Sequence, residues 1–396
     1  MESKRIVMTS TFYPPYHLGG DATHVKMLKE QLEARGHEVH VVHSLDAYRL
    51  KQGEIADEIE APPGVHPIEG RWGKWSAVGT YLTGRNRRAE RELERLVSEV
   101  RPDWVHHHNI SLLGSGVLDG RRAPAVYTAH DYWLICPRSD LMYRGMETCT
   151  RQRCTSCTLS TGRPPQLWRS WRMGRALAAI DLLIAPSKFM ADRLSSFLGL
   201  GSEVLPNFAP SPDFKGGEVE GHFSFVGVLE RNKGLDLLLE AFQGQGVEAG
   251  LHVMGRGSLE PMVKEAERRT DGRISYKGFL TGRSLWSEVA GSRALMCPST
   301  GNENSPLACI EALALGTPLI VSPRGGLPEL VADPECGAVS QLTPRALAEA
   351  ASRLSEPETR DGLAKNAFIR YQRHHAPGTY VSRYLELCEA MLVGAH

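Results

Sequence analysis

The chain has 396 residues, 41% of them hydrophobic and 23% charged, and its 46 basic residues balance 46 acidic ones. This length exceeds one ordinary core and predicts two domains. The even charge excludes a disordered tail and a strongly basic nucleic-acid binder.

Short β-branched runs alternate with amphipathic stretches along nearly the whole chain. Arg5 to Thr9 reads as a strand that follows a polar start, without the apolar region of a secretion signal. No apolar run is long enough to cross a bilayer, so the expected location is the cytoplasm. Ala22 to Ala34 reads as a helix closed by Gly36, and Glu38 to His43 as a second strand. Further strands are expected at Trp104 to His107, Ala125 to Thr128 and Leu182 to Ala185. Pro206, Pro210, Pro212, Gly216 and Gly217 suit a linker. The alternation then resumes at Ser224 to Val228, Leu251 to Met254, Ile274 to Tyr276, Ala294 to Cys297 and Pro318 to Val321.

Strands separated by helices predict parallel sheets covered on both faces. The expected fold class is therefore α/β, with two Rossmann-like doubly wound domains at residues 1–205 and 222–377 joined by a linker at 206–221. Residues 133–162 form a cysteine-rich insertion in the first domain. The last helix, 378–396, is expected to pack back on that domain. Open parallel sheets take ligands at the carboxyl ends of their strands, so two of them facing across a cleft suit a two-substrate enzyme.

The most informative segment runs from Met296 to Glu329. A strand ends in a loop carrying Glu303, Asn304, Ser305 and Pro306, and a helix follows to Leu315. Ser305 is a suitable N-cap and Pro306 a suitable first helical residue. The free N–H groups and dipole of such a helix start favour phosphate. Glu303 lies just before that start and Glu311 within the helix, so a diphosphate there would have a carboxylate on each side.

Glu303 and Glu311, followed by Ala312-Leu313-Ala314-Leu315-Gly316-Thr317-Pro318 and by Gly325-Gly326-Leu327-Pro328-Glu329, resemble the signature of retaining glycosyltransferase family 4. The resemblance spans most of the chain and is strongest in the second domain. It implies the two-domain GT-B architecture and transfer with retention of configuration. It also implies that Glu303 positions the donor sugar and Glu311 the ribose, with Leu307 beside them in the donor site. Phe225 to Gly234 matches the family's phosphate-binding loop at Lys233 and Gly234. Val228 stands where the family has an arginine, and Arg231 is the expected substitute cation. Gly255 and Gly257, in Met254-Gly255-Arg256-Gly257, fall where the family's nucleotide lies, and Lys277-Gly278-Phe279 beside its base.

In the first domain, Gly19 and Gly20 match a family loop whose amides approach the donor phosphates. His130, in Thr128-Ala129-His130-Asp131-Tyr132-Trp133, matches a histidine near the reacting centre. The run His106-His107-His108-Asn109 reads as a strand end, since consecutive strand residues point to opposite faces. Cys136, Cys149, Cys154 and Cys157, the last two as Cys-x-x-Cys, suit a structural zinc site. Unliganded thiols and an iron–sulfur cluster are the alternatives. Trp168 to Arg175 is basic and aromatic and reads as a packed helix with solvated arginines, which leaves a peripheral contact with the inner face of the membrane open.

The expected activity is transfer of a hexose-type sugar from a nucleotide-diphosphate sugar, a UDP-sugar ahead of a GDP-sugar, to a hydroxyl-bearing acceptor that is a glycan, a lipid-linked sugar or a small molecule. No metal cofactor is required by this reading, and no nucleic acid is a partner. A nucleotide-sugar epimerase and an inactive nucleotide-sugar sensor are the rival readings. An epimerase would turn over donor alone.

Overall fold

The computed structural model describes residues 2–55, 59–119, 123–145, 147–214, 219–244 and 247–394. The chain divides into two compact units, Met1–Leu205 with Val381–His396, and Pro206–Tyr380.

In the first unit the strands are Arg5–Thr9 (β1), Glu38–Ser44 (β2), Val65–Ile68 (β3), Trp104–His107 (β4), Ala125–Thr128 (β5), Leu182–Ala185 (β8) and Glu203–Val204 (β9). Met142–Tyr143 (β6) and Glu147–Thr148 (β7) form a separate antiparallel hairpin. Among the described residues the seven remaining strands pair in parallel in the order β3-β2-β1-β4-β5-β8-β9. Ile6, Val7 and Met8 are fully buried in succession, because helices cover the sheet on both faces and leave no polar side to alternate with. The helix Arg87–Val100, which the sequence reading left out, starts where the Asn86 side chain accepts from the N–H groups of Arg88 and Ala89. It buries Ala89, Leu93, Leu96 and Val97 along one stripe.

The second unit contains His222–Val226 (β10), Gly250–Met254 (β11), Ile274–Gly278 (β12), Leu295–Cys297 (β13), Leu319–Val321 (β14) and Gly337–Val339 (β15). Its sheet runs β12-β11-β10-β13-β14-β15, again all parallel. In both sheets the winding reverses beside the first strand, between β1 and β4 and between β10 and β13. A crevice opens outside the carboxyl ends of the strands at such a reversal.

The stretch 206–221 differs from a free linker. Phe208 and Ala209 are fully buried, and Asn207 bonds Ser305 twice, through its N–H to Oγ (3.2 Å) and its Nδ2 to the carbonyl (2.9 Å). Pro206–Ala209 thus belongs to the core of the second unit, while Gly216 and Gly217 lie outside the described residues. The last helix, Pro377–Gly394, changes unit along its length. In the first unit its Tyr384 hydroxyl accepts from Trp104 Nε1 (2.8 Å) and meets His106 Nδ1 (3.0 Å).

Glycine is required where loops of the second unit meet. Gly234 has φ +68°, and a Cβ there would fall 1.9 Å from the Pro298 carbonyl oxygen. Gly272 has φ +79° with open space around it. Gly272→Ala should therefore cost about 1–2 kcal/mol, the strain of a left-handed L-residue alone. Gly234→Ala should cost roughly 3 kcal/mol or more, because the backbone must also move. Denaturant unfolding of the two variants checks this; equal costs would refute the close contact.

Candidate active site

At the reversal of the second sheet, β10 leads through Gly227 into a short 3-10 turn, Arg231–Lys233, and then the helix Leu235–Gln243. The loop after β13 carries Glu303. Lys233 Nζ lies 2.5 Å from Glu303 Oε1, and Ser299 Oγ donates to the same oxygen at 3.0 Å. Burial pulls the Lys233 amine down, but the Glu303 charge and hydrogen bond outweigh it and the net shift is upward, so the amine is a firm cation. The Gly325-Gly326 turn lies on Glu303: Gly326 N–H donates to the Glu303 carbonyl at 2.7 Å, and a Cβ on Gly325 would be 1.9 Å from that oxygen.

The helix after Glu303 spans Leu307–Ala314, one residue later than the sequence suggested, with Pro306 at its N-cap and no side-chain cap. Ser305 is not the cap, because its hydroxyl accepts from Asn207 inside the unit. The first amides of this helix consequently have no side-chain acceptor of the helix's own. Asn304 and Ser305 are buried and Leu307 half-buried. Glu311, in the second turn, is pushed up to about 6 by burial. This half-buried carboxyl forms no ion pair among the described residues, so burial alone sets the shift.

Arg231 is not drawn to this centre. Its side chain is 73% exposed and its guanidinium lies 3.4 Å from Asp236. Gly255 (φ +146°) and Gly257 act on the backbone: a Cβ at either would strike the Gly227 or Leu229 carbonyl, so these glycines let the β11 loop lie against the β10 loop. Leu229 N–H donates to Arg256 O (2.9 Å) and Leu259 N–H to Leu229 O (2.9 Å) along that seam.

In the first unit, Gly19 and Gly20 open the helix Gly19–Glu33 just beyond β1, Gly19 with φ +79°. His130, after β5, meets His108 through Nε2 and Nδ1 at 2.9 Å. The triple histidine alternates as strand geometry demands: His106 bonds Thr128 and Tyr384 on one side, while His107 bonds Thr9 Oγ1 (2.8 Å) on the other. His24 packs edge-on against His130, ring centroids 4.8 Å apart. Burial lowers His130 to about 4 and holds His24, His106 and His108 well below the usual imidazole range. His130 therefore serves as a neutral hydrogen-bonding group near neutral pH.

Two acids beside His130 were not singled out from sequence. Asn109 Nδ2 donates to Asp21 (2.8 Å) and reaches Asp131 (3.5 Å). Burial lifts Asp131 to about 7, with a Trp133 N–H bond opposing it and Asp21 adding to it, and burial also raises Asp21. Their signal in the sequence was adjacency, Asp21 to the glycine pair and Asp131 to His130. Asp131 lines a pocket of about 520 Å³ with Phe12, Lys51, Tyr81, Arg138 and Arg163, a volume within the range that holds small ligands.

Among the described residues, the ligand atoms of His222, His252 and Glu288 form the one group of three or more metal-binding side chains within 4.8 Å of one another. The four cysteines of residues 136–157 are all free thiols and line one small recess, with their sulfurs spaced more widely. No described helix is long and apolar enough to cross a membrane.

Two parallel, doubly wound units with polar residues gathered at the reversal of each sheet define a GT-B-type transferase scaffold, and known proteins agree. The family described as Glycosyltransferase Family 4 matches residues 18–210, and Glycosyl transferases group 1 matches residues 220–356. An uncharacterized glycosyltransferase of Methanocaldococcus jannaschii is 25% identical over 83% of this chain and 82% of its own. Sucrose-phosphate synthase of Thermosynechococcus elongatus has the same fold, with TM-score 0.74 at 18% identity over 99% of this chain and 100% of its own. The Anabaena HepE structure, determined with UDP and glucose, gives TM-score 0.66 at 16% identity over 98% and 100%. The chain belongs to the GT-B glycosyltransferases of group 1.

The buried histidines set the response to acid. His43, His107, His130 and His375 are lowered by burial to about 4, 3, 4 and 4. An unfolded histidine takes up its proton near pH 6.5 and these folded ones do not, so their stabilising contribution is full above about 6.5 and is lost as pH falls toward 4. Asp131 and Glu311, raised to about 7 and about 6, act in the opposite sense over part of that range, but the histidines outnumber them. The melting temperature should fall on going from pH 7 to pH 5. A rise on acidification would contradict the neutral, buried histidine cluster.

Proposed function

We propose that the chain is a retaining glycosyltransferase that moves a hexose-type sugar from a nucleotide-diphosphate sugar to a hydroxyl acceptor, in glycan or polysaccharide synthesis, without a catalytic metal. The observation that carries this reading is the Lys233–Glu303 pair, 2.5 Å apart at the reversal of the second sheet and beside a helix start with no side-chain cap. A diphosphate gains charge as it leaves, and a fixed cation with free amides stabilises that charge in the transition state. Lys233 and the first amides of the Leu307–Ala314 helix meet the phosphates, joined by Arg231 once it releases Asp236. Glu303 accepts hydrogen bonds from sugar hydroxyls and Glu311 from the ribose.

The bond from the acceptor oxygen to the anomeric carbon forms on the face from which the diphosphate departs. The acceptor proton passes to the leaving phosphate oxygen. His130, neutral, hydrogen-bonds a sugar or acceptor hydroxyl. The Asp131 pocket takes the acceptor, and its mix of Phe12 and Tyr81 with Lys51 and Arg163 suits an amphipathic molecule bearing anionic groups. A lipid-linked acceptor at the inner face of the membrane fits that chemistry, and the exposed Trp72, Trp75 and Trp171 suit an interfacial contact. A UDP-sugar is the first donor to test, because UDP and glucose occupy the similarly folded Anabaena protein; a GDP-sugar is the second.

Thermal melts with UDP, GDP and ADP and their common sugars test the donor. A ligand at a hundred times its Kd, bound only by the folded state, stabilises by about 2.7 kcal/mol. One nucleotide series should raise the melting temperature, and Glu311→Ala should abolish the rise. Glu303→Ala should lower kcat roughly 100-fold or more once donor and acceptor are in hand, the scale of a lost transition-state contact. Unchanged turnover in Glu303→Ala would sink the mechanism, and no response to any nucleotide would sink the donor assignment.

A further inference from the structure

We infer that Cys136, Cys149, Cys154 and Cys157 bind one zinc ion as a closed tetrathiolate clasp. The four thiols come from three local pieces: the turn after β5, the end of the β6–β7 hairpin, and the first turn of the helix Cys154–Ser160. All four line one recess of about 20 Å³, room for little more than a single water-sized sphere. Soft thiolates select a soft or borderline cation, and four of them with no open position make a structural site.

At one of the four sulfurs the backbone supplies a donor. Arg144 N–H donates to Cys157 Sγ at 3.2 Å. That bond favours the thiolate over the thiol.

Charge balance points the same way. Arg169 is half-buried, and its hydrogen bonds go to the carbonyls of Trp133 and Leu134 and the side-chain oxygen of Gln166, none to a carboxylate among the described residues. Four thiolates on a divalent ion carry a net double negative charge, which supplies this guanidinium with a counter-charge. Neutral thiols do not.

Coordination brings the sulfurs to about 3.8 Å from one another, from Zn–S bonds of about 2.3 Å. The hairpin and the helix must close on the ion from their present wider spacing. The tighter group, His222, His252 and Glu288, is a poorer candidate. Its His222 Nε2 is engaged by the Glu288 carbonyl (3.0 Å) and its His252 Nδ1 by the Glu288 carboxylate (2.6 Å). Lys277 already places a cation 3.5 Å from that carboxylate.

The clasp has a consequence for the reaction, one that rests on the transferase reading above. Pro137, Arg138 and Ser139 follow Cys136 directly and form a wall of the Asp131 pocket. Zinc fixes that wall, so its loss should raise the acceptor KM while leaving nucleotide affinity unchanged.

The deciding experiment is elemental analysis of the full chain, purified without a polyhistidine tag or chelator, together with its visible spectrum. About one zinc per chain is expected, with no iron-type absorption, and a strong chelator should add about four titratable thiols. Cys154→Ser/Cys157→Ser should lose the metal. Zinc below about 0.1 per chain in the natural protein, zinc retained undiminished by the double variant, or iron with visible absorption would each overturn the inference. The natural protein's metal content is read without any variant that might misfold. It is also read without donor or acceptor, so it stands apart from the success of the transferase reading.

Discussion

Three loops at the carboxyl end of the second sheet lie so close that only hydrogen fits where side chains would begin. A Cβ on Gly234, Gly255 or Gly325 would in each case sit 1.9 Å from a carbonyl oxygen of the neighbouring loop, on Pro298, Gly227 or Glu303. Gly234 brings the Lys233 turn against the loop after β13, and Gly325 lays the downstream turn on Glu303 itself. The Lys233–Glu303 contact follows from these two approaches. The glycines that look like family spacing in the sequence are thus the means by which a cation and a carboxylate from distant segments are held within hydrogen-bond reach.

That pair is poorly explained as a device for stability. Its side chains are 29% and 19% exposed, and a pair so placed gains little after desolvation and lost side-chain entropy. Its geometry is nonetheless well fixed, by Ser299 on the same carboxylate oxygen and by Gly326 on the Glu303 backbone. A cation and a carboxylate held together beside a helix start form a preorganised polar centre. The first unit is built on the opposite electrostatic principle. Its polar cluster of His24, His106, His108 and His130 is buried and held neutral, and Asp131 sits near its neutral point. One unit offers charge and the other uncharged hydrogen-bonding groups.

The parallel doubly wound character of both units was legible because fully covered strands have no polar face, so runs such as Ile6-Val7-Met8 stand out. Glu303, Glu311 and Lys233 were legible because the motif around them is dense in glycine and proline at fixed offsets. The short strands β3, β9 and β15 were not, since two to four residues carry no period. Ser305 was misread as a helix cap because its true partner, the Asn207 amide, is 98 residues away. The opening of the stretch expected as a linker was misread for the same reason: prolines mark a break in local pattern and say nothing about Phe208 entering a core.

The amino-acid sequence by itself determined the class of fold, the family, and the segments that supply the candidate donor site, since each depends on local period, turn chemistry and spacing. Tertiary structure alone decided which of those residues meet. It paired Lys233 with Glu303 while leaving Arg231 on Asp236, and it set Gly255 and Gly257 in close backbone contact with the loop after β10. It also joined Asp21, in the first turn of the Gly19–Glu33 helix, with Asn109 and Asp131 beyond the ends of β4 and β5, and it set the protonation of His130 through burial. Contacts between segments a hundred residues apart, and the dielectric that surrounds a buried group, depend on the closed core, which no local stretch of sequence encodes.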